Sequence, residues 1–218
     1  MTEIVPTERM SSARRILDME CALDGDPTSA YQASIVSWLP GQLPGHDMRN
    51  VGWGLLVLAV DATPRPQRSG PNSAVNSGMR SVMLNAGKVG SALIDSPGPV
   101  AESPPDVGWD LADLRPAMAE VVREVTAVLP PDADIAQATG EAPAILRDLF
   151  PDADVAGTGW AALGTAMVLA KEAKEVQSKI TRGHMRRRTR EHREQWGNGA
   201  IFAAIILGRL GDLLISES

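Results

Sequence analysis

Residues 172–194 read EAKEVQSKITRGHMRRRTREHRE. The stretch holds two E-x-x-E pairs, Glu172 with Glu175 and Glu191 with Glu194, and Gly183 stands midway between them. Eight residues separate Gly183 from Glu175 and from Glu191, and eleven separate it from Glu172 and from Glu194. Residues i and i+3 share one face of a helix. If the chain turns back at Gly183 as two antiparallel helices, equal distances from the turn set the two pairs at one level. Four carboxylates converging there cannot all remain ionised without a cation. The spacing therefore predicts that Glu172, Glu175, Glu191 and Glu194 hold Mg²⁺, an ion that takes oxygen ligands and keeps waters for a phosphate to displace. The alternative is a solvated helix face on which Lys171, Lys174 and Arg190 pair with these acids.

Outward from this stretch, helical spacing continues in both directions. Thr158 to about Arg182 and Arg186 to Ser216 make a C-terminal helical hairpin over 158–216. Upstream, helices are predicted for Thr7 to Leu23, for a segment ending near Leu39, for Met48 to about Ala62, for Asn76 to Asp95, for Asp110 to Leu129 and for Glu141 to Phe150. The apolar run Leu55 to Val60 fits a buried strand equally well by pattern. Asp47 as an N-cap and Thr63-Pro64 as a stop favour helix. Pro116 is compatible with a helix only in its first turn, which moves the regular start toward Leu114. Residues 1–6 read as a disordered leader and 95–109 as a proline-rich loop. Ser81 to Ile94 resembles Thr165 to Ile180 when Val89 is set against Val176, which suggests two related helical hairpins. The expected fold is all-α, one multi-helix bundle over 1–218.

Composition agrees. Hydrophobic residues make up 44% of 218, with only two Phe and one Tyr, a poor supply for β-sheet. The single cysteine, Cys21, excludes an intramolecular disulfide and a cysteine zinc cage and points to a reducing compartment; it reads as a small buried apolar residue. The N-terminal residues carry charges throughout and lack a signal-peptide core. The longest apolar stretch, Gly199 to Gly208, is about half of a bilayer span. A cytoplasmic protein with no membrane contact is expected. The bulky faces of Ile201 to Leu214 suggest a homodimer.

Charge is unevenly spread. The chain has a net charge of −6, yet residues 171–193 contain nine Lys and Arg against three acids, a local +6 on a body of −12. Such a cluster can neutralise phosphates, and Arg186, Arg187 and Arg190 are the candidate contacts to a nucleotide or another phosphorylated small molecule. Nucleic acid is a weaker candidate, because the whole chain is acidic and aromatic residues are not interleaved with the basic ones. His184 and His192 stand too far apart to share a metal. The five tryptophans read mainly as core anchors, with a pocket for a planar ligand as the alternative. None of the common glycine-rich phosphate loops or nucleophile elbows is present.

The segment Leu169-Ala170-Lys171-Glu172-Ala173-Lys174-Glu175-Val176, followed by a helix ending Leu207-Gly208-Arg209-Leu210-Gly211-Asp212-Leu213-Leu214, resembles the core of MazG-type nucleoside triphosphate pyrophosphohydrolases over about 50 residues. That resemblance implies an all-α, Mg²⁺-dependent enzyme with an E-E-x-x-E helix and a later E-x-x-D helix. Glu172, Glu175 and Glu194 would then be catalytic, with the metal activating a water for in-line attack. The first family glutamate falls on Lys171. The second motif falls either on Glu191 to Glu194 or, in register with the following apolar run, on Gln195 and Asn198, which would make a degenerate nucleotide-binding relative. Beside this reading stand two others. One is a non-enzymatic helical binding or regulatory protein whose basic hairpin engages nucleic acid or an acidic partner. The other is a helical small-molecule binding protein.

Overall fold

The computed structural model describes residues 5–24, 32–66, 70, 72–95, 110–126, 142–182 and 187–218. Among these are eight helices and no strand: α1 Glu8–Asp24, α2 Gln32–Gln42, α3 Met48–Asp61, α4 Ser73–Asp95, α5 Leu111–Thr126, α6 Ala142–Leu149, α7 Val155–Arg182 and α8 Arg187–Ser216. The all-α bundle expected from sequence is what the chain forms. The proline-rich loop, Gly183 and most of the N-terminal leader lie outside the described residues.

Local chemistry sets the helix boundaries. Asp47 caps α3, its side chain accepting from the Arg49 N–H at 2.9 Å. The ambiguous run Leu55 to Ala59 is helical and buried on every side, because α3 is packed by α1, α4, α7 and α6 at once. Asp154 caps α7 by accepting from the Gly157 N–H at 2.8 Å. The expectation for Pro116 was wrong: it sits inside α5, beyond the first turn. Pro116 is exposed, as is Ala112, whose carbonyl loses its intrahelical donor and can turn to water instead.

Helices α3 and α4 pack together, α7 and α8 pack together, and α4 lies against α8. Glycines set the closest approaches. A Cβ on Gly52 would lie 2.7 Å from the Gly90 carbonyl, and one on Gly90 would lie 2.6 Å from the Gly52 carbonyl and 2.7 Å from the Leu56 amide. The second hairpin repeats this contact. A Cβ on Gly159 would lie 2.8 Å from the Gly211 carbonyl, and one on Gly211 would lie 2.5 Å from the Gly159 carbonyl and 2.8 Å from the Leu163 amide.

The likeness extends along the chain. Leu43-Pro44, Asp47 and Gly52-Trp53 match Phe150-Pro151, Asp154 and Gly159-Trp160, each 107 residues later. Gly78 and Gly87-Lys88-Val89-Gly90-Ser91-Ala92-Leu93-Ile94 match Gly199 and Gly208-Arg209-Leu210-Gly211-Asp212-Leu213-Leu214-Ile215, each 121 residues later. Leu17 of α1 packs on Gly87 as Met118 of α5 packs on Gly208. Arg14 of α1 pairs with Asp95 as Arg115 of α5 pairs with Asp212. Helices α1–α4 and α5–α8 are therefore two versions of one four-helix unit. The units meet symmetrically: a Cβ on Gly78 would overlap the Trp196 carbonyl, and a Cβ on Gly199 would overlap that of Val75. Val75 and Trp196 are themselves counterparts.

This corrects the internal alignment expected from sequence. The counterpart of α4 is the last helix, not α7, so Val89 answers to Leu210 and not to Val176. Both α7 and α4 carry apolar residues at helical spacing, and that periodicity alone produced the false match.

Candidate functional site: the hairpin extension and two paired clefts

The offset between counterparts grows from 107 in α3 and α7 to 121 in α4 and α8, so the second unit carries fourteen extra residues. They fall between Val168, the counterpart of Asp61, and Glu194, the counterpart of Ser73, so residues 169–193 stand where the first unit has 62–72. In the first unit α3 ends at Asp61 and α4 starts at Ser73; in the second, α7 runs on to Arg182 and α8 starts at Arg187. Glu172, Glu175, Glu191 and the basic cluster lie in this longer segment, and Glu194 stands at its end as the counterpart of Ser73.

The hairpin register decides whether the carboxylates meet. At its base Gly159 lies between Gly211 and Ile215, and Gly211 between Gly159 and Leu163. Farther out, the Gln177 amide donates to Asn198 Oδ1 at 2.8 Å, and Gly197 lies beneath the Gln177 side chain. A symmetric turn at Gly183 would set Glu175 level with Glu191. The observed register sets Glu175 within a turn of Trp196 and Asn198, so Glu191 lies farther out by a turn and a half, on the order of 8 Å at 1.5 Å per residue. The predicted single level for the two pairs does not form, because the helices of the hairpin are staggered. Opposite Glu175 the second helix offers Gln195 and Asn198, which are amides.

Burial separates the pairs further. Glu172 and Glu175 are half-buried at the edge of the bundle, whereas Glu191 and Glu194 are exposed. Glu172, Glu175 and Glu191 each take part in other interactions, as do Lys171, Lys174 and Arg190. Among the described residues no group of three or more His, Cys, Asp and Glu side chains is placed to hold a metal ion. Of the candidate phosphate contacts, Arg190 is exposed, while the side chains of Arg186 and Arg187 lie outside the description. Every described residue from Thr189 to Gln195 is exposed, and burial begins only at Trp196.

The sequence reading missed two clefts at equivalent places in the two units. The first, about 590 Å³, lies between α1 and α4 and is lined by Leu17, Asp18, Cys21, Lys88, Ser91 and Asp95, among others. The second, about 290 Å³, lies between α5, α7 and α8 and is lined by Arg115, Met118, Val122, Leu163, Arg209 and Asp212, among others. Their recurrence could be found in sequence only by matching Gly87-Lys88 with Gly208-Arg209. None of the four described tryptophans lines either cleft: Trp38 and Trp53 are in the core, and Trp160 and Trp196 are half-buried against it.

A polar cluster joins the two units beside the α7 cap. His46 Nδ1 lies 2.6 Å from Asp154 Oδ2. Asn50 accepts from the Asp154 N–H at 2.5 Å and donates to the Asp152 carbonyl at 2.7 Å. The cluster caps a helix and ties α3 to α7, which accounts for all its contacts.

Helix α8 is long and apolar enough to cross a membrane by length and composition, and 67% of that apolar window is buried inside the protein. The bulky face that suggested a homodimer is covered within the chain by α4, α5 and α7. No known family matches the chain, and no curated protein or solved structure matches it.

Proposed function

We propose that the chain is a non-enzymatic binding protein: a duplicated helical core that carries, in its second unit only, a basic hairpin for an acidic protein surface. The observation that carries this reading is the fourteen-residue extension, which has no counterpart in the first unit and lies within a stretch of net charge +6. A duplicated core needs no such addition to fold, since the first unit closes the same hairpin with fourteen fewer residues. Lys179, Arg190 and Arg193 are exposed in that stretch. Glu172, Glu175, Glu191 and Glu194 are interleaved with the cations. This alternation suits the separated carboxylates of an acidic protein surface better than a continuous phosphate backbone, whose closely spaced charges would repel the glutamates. Metal-dependent hydrolysis, as the MazG resemblance implies, needs the two acidic pairs to converge, and the stagger of the hairpin weighs against it.

Retention of the full chain on immobilised poly-glutamate and on an oligonucleotide duplex, each eluted by a salt gradient, tests the reading. Stronger retention on poly-glutamate is expected, with most of it lost in the triple variant Lys179→Glu, Arg190→Glu, Arg193→Glu. Stronger retention on the duplex would reassign the partner as nucleic acid. Equal elution of variant and parent would remove the hairpin from binding. Mg²⁺-dependent release of pyrophosphate from a nucleoside triphosphate, abolished by Glu175→Ala, would instead restore the enzymatic reading.

A further inference from the structure

The two clefts are the same place in two copies of one unit, which makes their differences informative. Leu17, Cys21 and Lys88 of the first correspond to Met118, Val122 and Arg209 of the second. Both therefore keep an apolar wall and a cation at the rim. Around them the units have diverged: Arg80 answers to Ile201, and Asn85 to Ile206. The acid and hydroxyl beside the cleft have exchanged places. Arg14 pairs with Asp95, one turn beyond Ser91, whereas Arg115 pairs with Asp212 and also donates to Ser216 at 3.0 Å. Asp212 is the counterpart of Ser91, and Ser216 of Asp95. The set of groups persists although its order does not.

Beyond that exchange, the clefts differ in charge at one further position. Asp18 lines the first, and its counterpart in the second is Ala119. In the second cleft the only lining carboxylate among the described residues, Asp212, is taken up by Arg115. Arg209 is exposed and has no ion-pair partner among the described residues. The second cleft thus joins an apolar wall of Met118, Val122 and Leu163 to a guanidinium with no ion-pair partner among the described residues, at the small end of the volumes typical of ligand pockets.

We propose that this second cleft binds a small organic acid, its apolar body against Met118, Val122 and Leu163 and its acid group on Arg209. Arginine's fork suits a carboxylate or sulfonate. The first cleft keeps an apolar wall and a cation, but Asp18 opposes an anion there. The proposal is independent of the hairpin's role.

Fluorescence titration of the full chain with anilinonaphthalene sulfonate, an apolar organic anion, and displacement by octanoate test it. One saturable equivalent is expected. Arg209→Gln and Ala119→Asp should each weaken binding at least tenfold, Arg209→Lys should restore part of it, and Asp18→Ala should add a second equivalent. Both Arg209 and Ala119 are exposed, and unchanged unfolding midpoints would confirm that the variants fold. Absence of saturable binding, or binding that Arg209→Gln leaves unaltered, overturns the proposal.

Discussion

The two units solve one packing problem in opposite ways. In the first, Arg80 of α4 is 3% exposed and pairs with Glu20 of α1 at 2.5 Å, while also donating to the Pro64 carbonyl at 2.6 Å. Their counterparts in the second are Ile201 and Val121, both in the hydrophobic core. An ion pair and an apolar pair thus fill equivalent positions between equivalent helices. The ion pair has a task the apolar pair lacks, because Arg80 also anchors the chain just after α3. The second unit has no counterpart of that anchor, since its hairpin helices run on past the point where α3 ends. What both units retain is the set of glycines at the helix crossings. Backbone approach defines the unit, and side-chain chemistry at its interfaces is free to change.

The sharpest way to break this comparison is at the junction between units. Gly78→Val places a side chain where only hydrogen fits, against the carbonyl of Trp196. Rigid backbone on both sides cannot yield cheaply, so a loss of about 3 kcal/mol is expected in denaturant unfolding. Gly41, around which nothing lies within 4 Å, is the control, and Gly41→Ala should change stability little. Equal stability of the two variants would mean that the junction is not closely packed.

Next in size is the exchange of the ion pair for its counterpart. Glu20→Val alone leaves the Arg80 guanidinium buried without its carboxylate and should cost about 2 kcal/mol. Adding Arg80→Ile, which recreates the pair found in the second unit, should recover most of that loss, since a buried ion pair is often replaceable by apolar residues of similar size. A double variant as unstable as the sum of the two singles would show that the units are not interchangeable at this position.

Much of the fold was legible in sequence because helix boundaries have local causes. Asp47, the stop at Thr63-Pro64 and the apolar stripes placed most helix ends within a few residues. The duplication was harder to read. Its signal lies in glycines spaced for backbone contact, Gly78, Gly87 and Gly90 against Gly199, Gly208 and Gly211, and apolar periodicity obscured it with a match between α4 and α7. The hairpin was legible as a hairpin, but its register was not. Symmetric numbering about Gly183 assumes helices in step, and the stagger follows from the contacts of Gly159 and Gly211 near the opposite end. The clefts were invisible for a related reason, since each is assembled from helices far apart in sequence.

The smallest test concerns where the units part. Asp61 ends α3, and its counterpart Val168 is buried in mid-helix in α7. Burial raises the Asp61 carboxyl above its ordinary value of 3.8, and the negative end of the α3 dipole disfavours its charge as well. A carboxyl with a raised folded pKa binds its proton more tightly in the folded state, so ionising it costs stability. The penalty is absent below the unfolded value of 3.8, develops as pH rises through the raised folded pKa, and is complete above it. Asp61→Asn should therefore stabilise the protein slightly at neutral pH, with the gain fading as pH falls toward 3.8, as measured by unfolding midpoints across that range. Asp61 is nonetheless exposed at the surface, which keeps the effect small. A gain independent of pH would trace the end of α3 to its sequence neighbours rather than to the charge. The contrast with Val168 would then say only that one helix was extended, and nothing about why the other stopped.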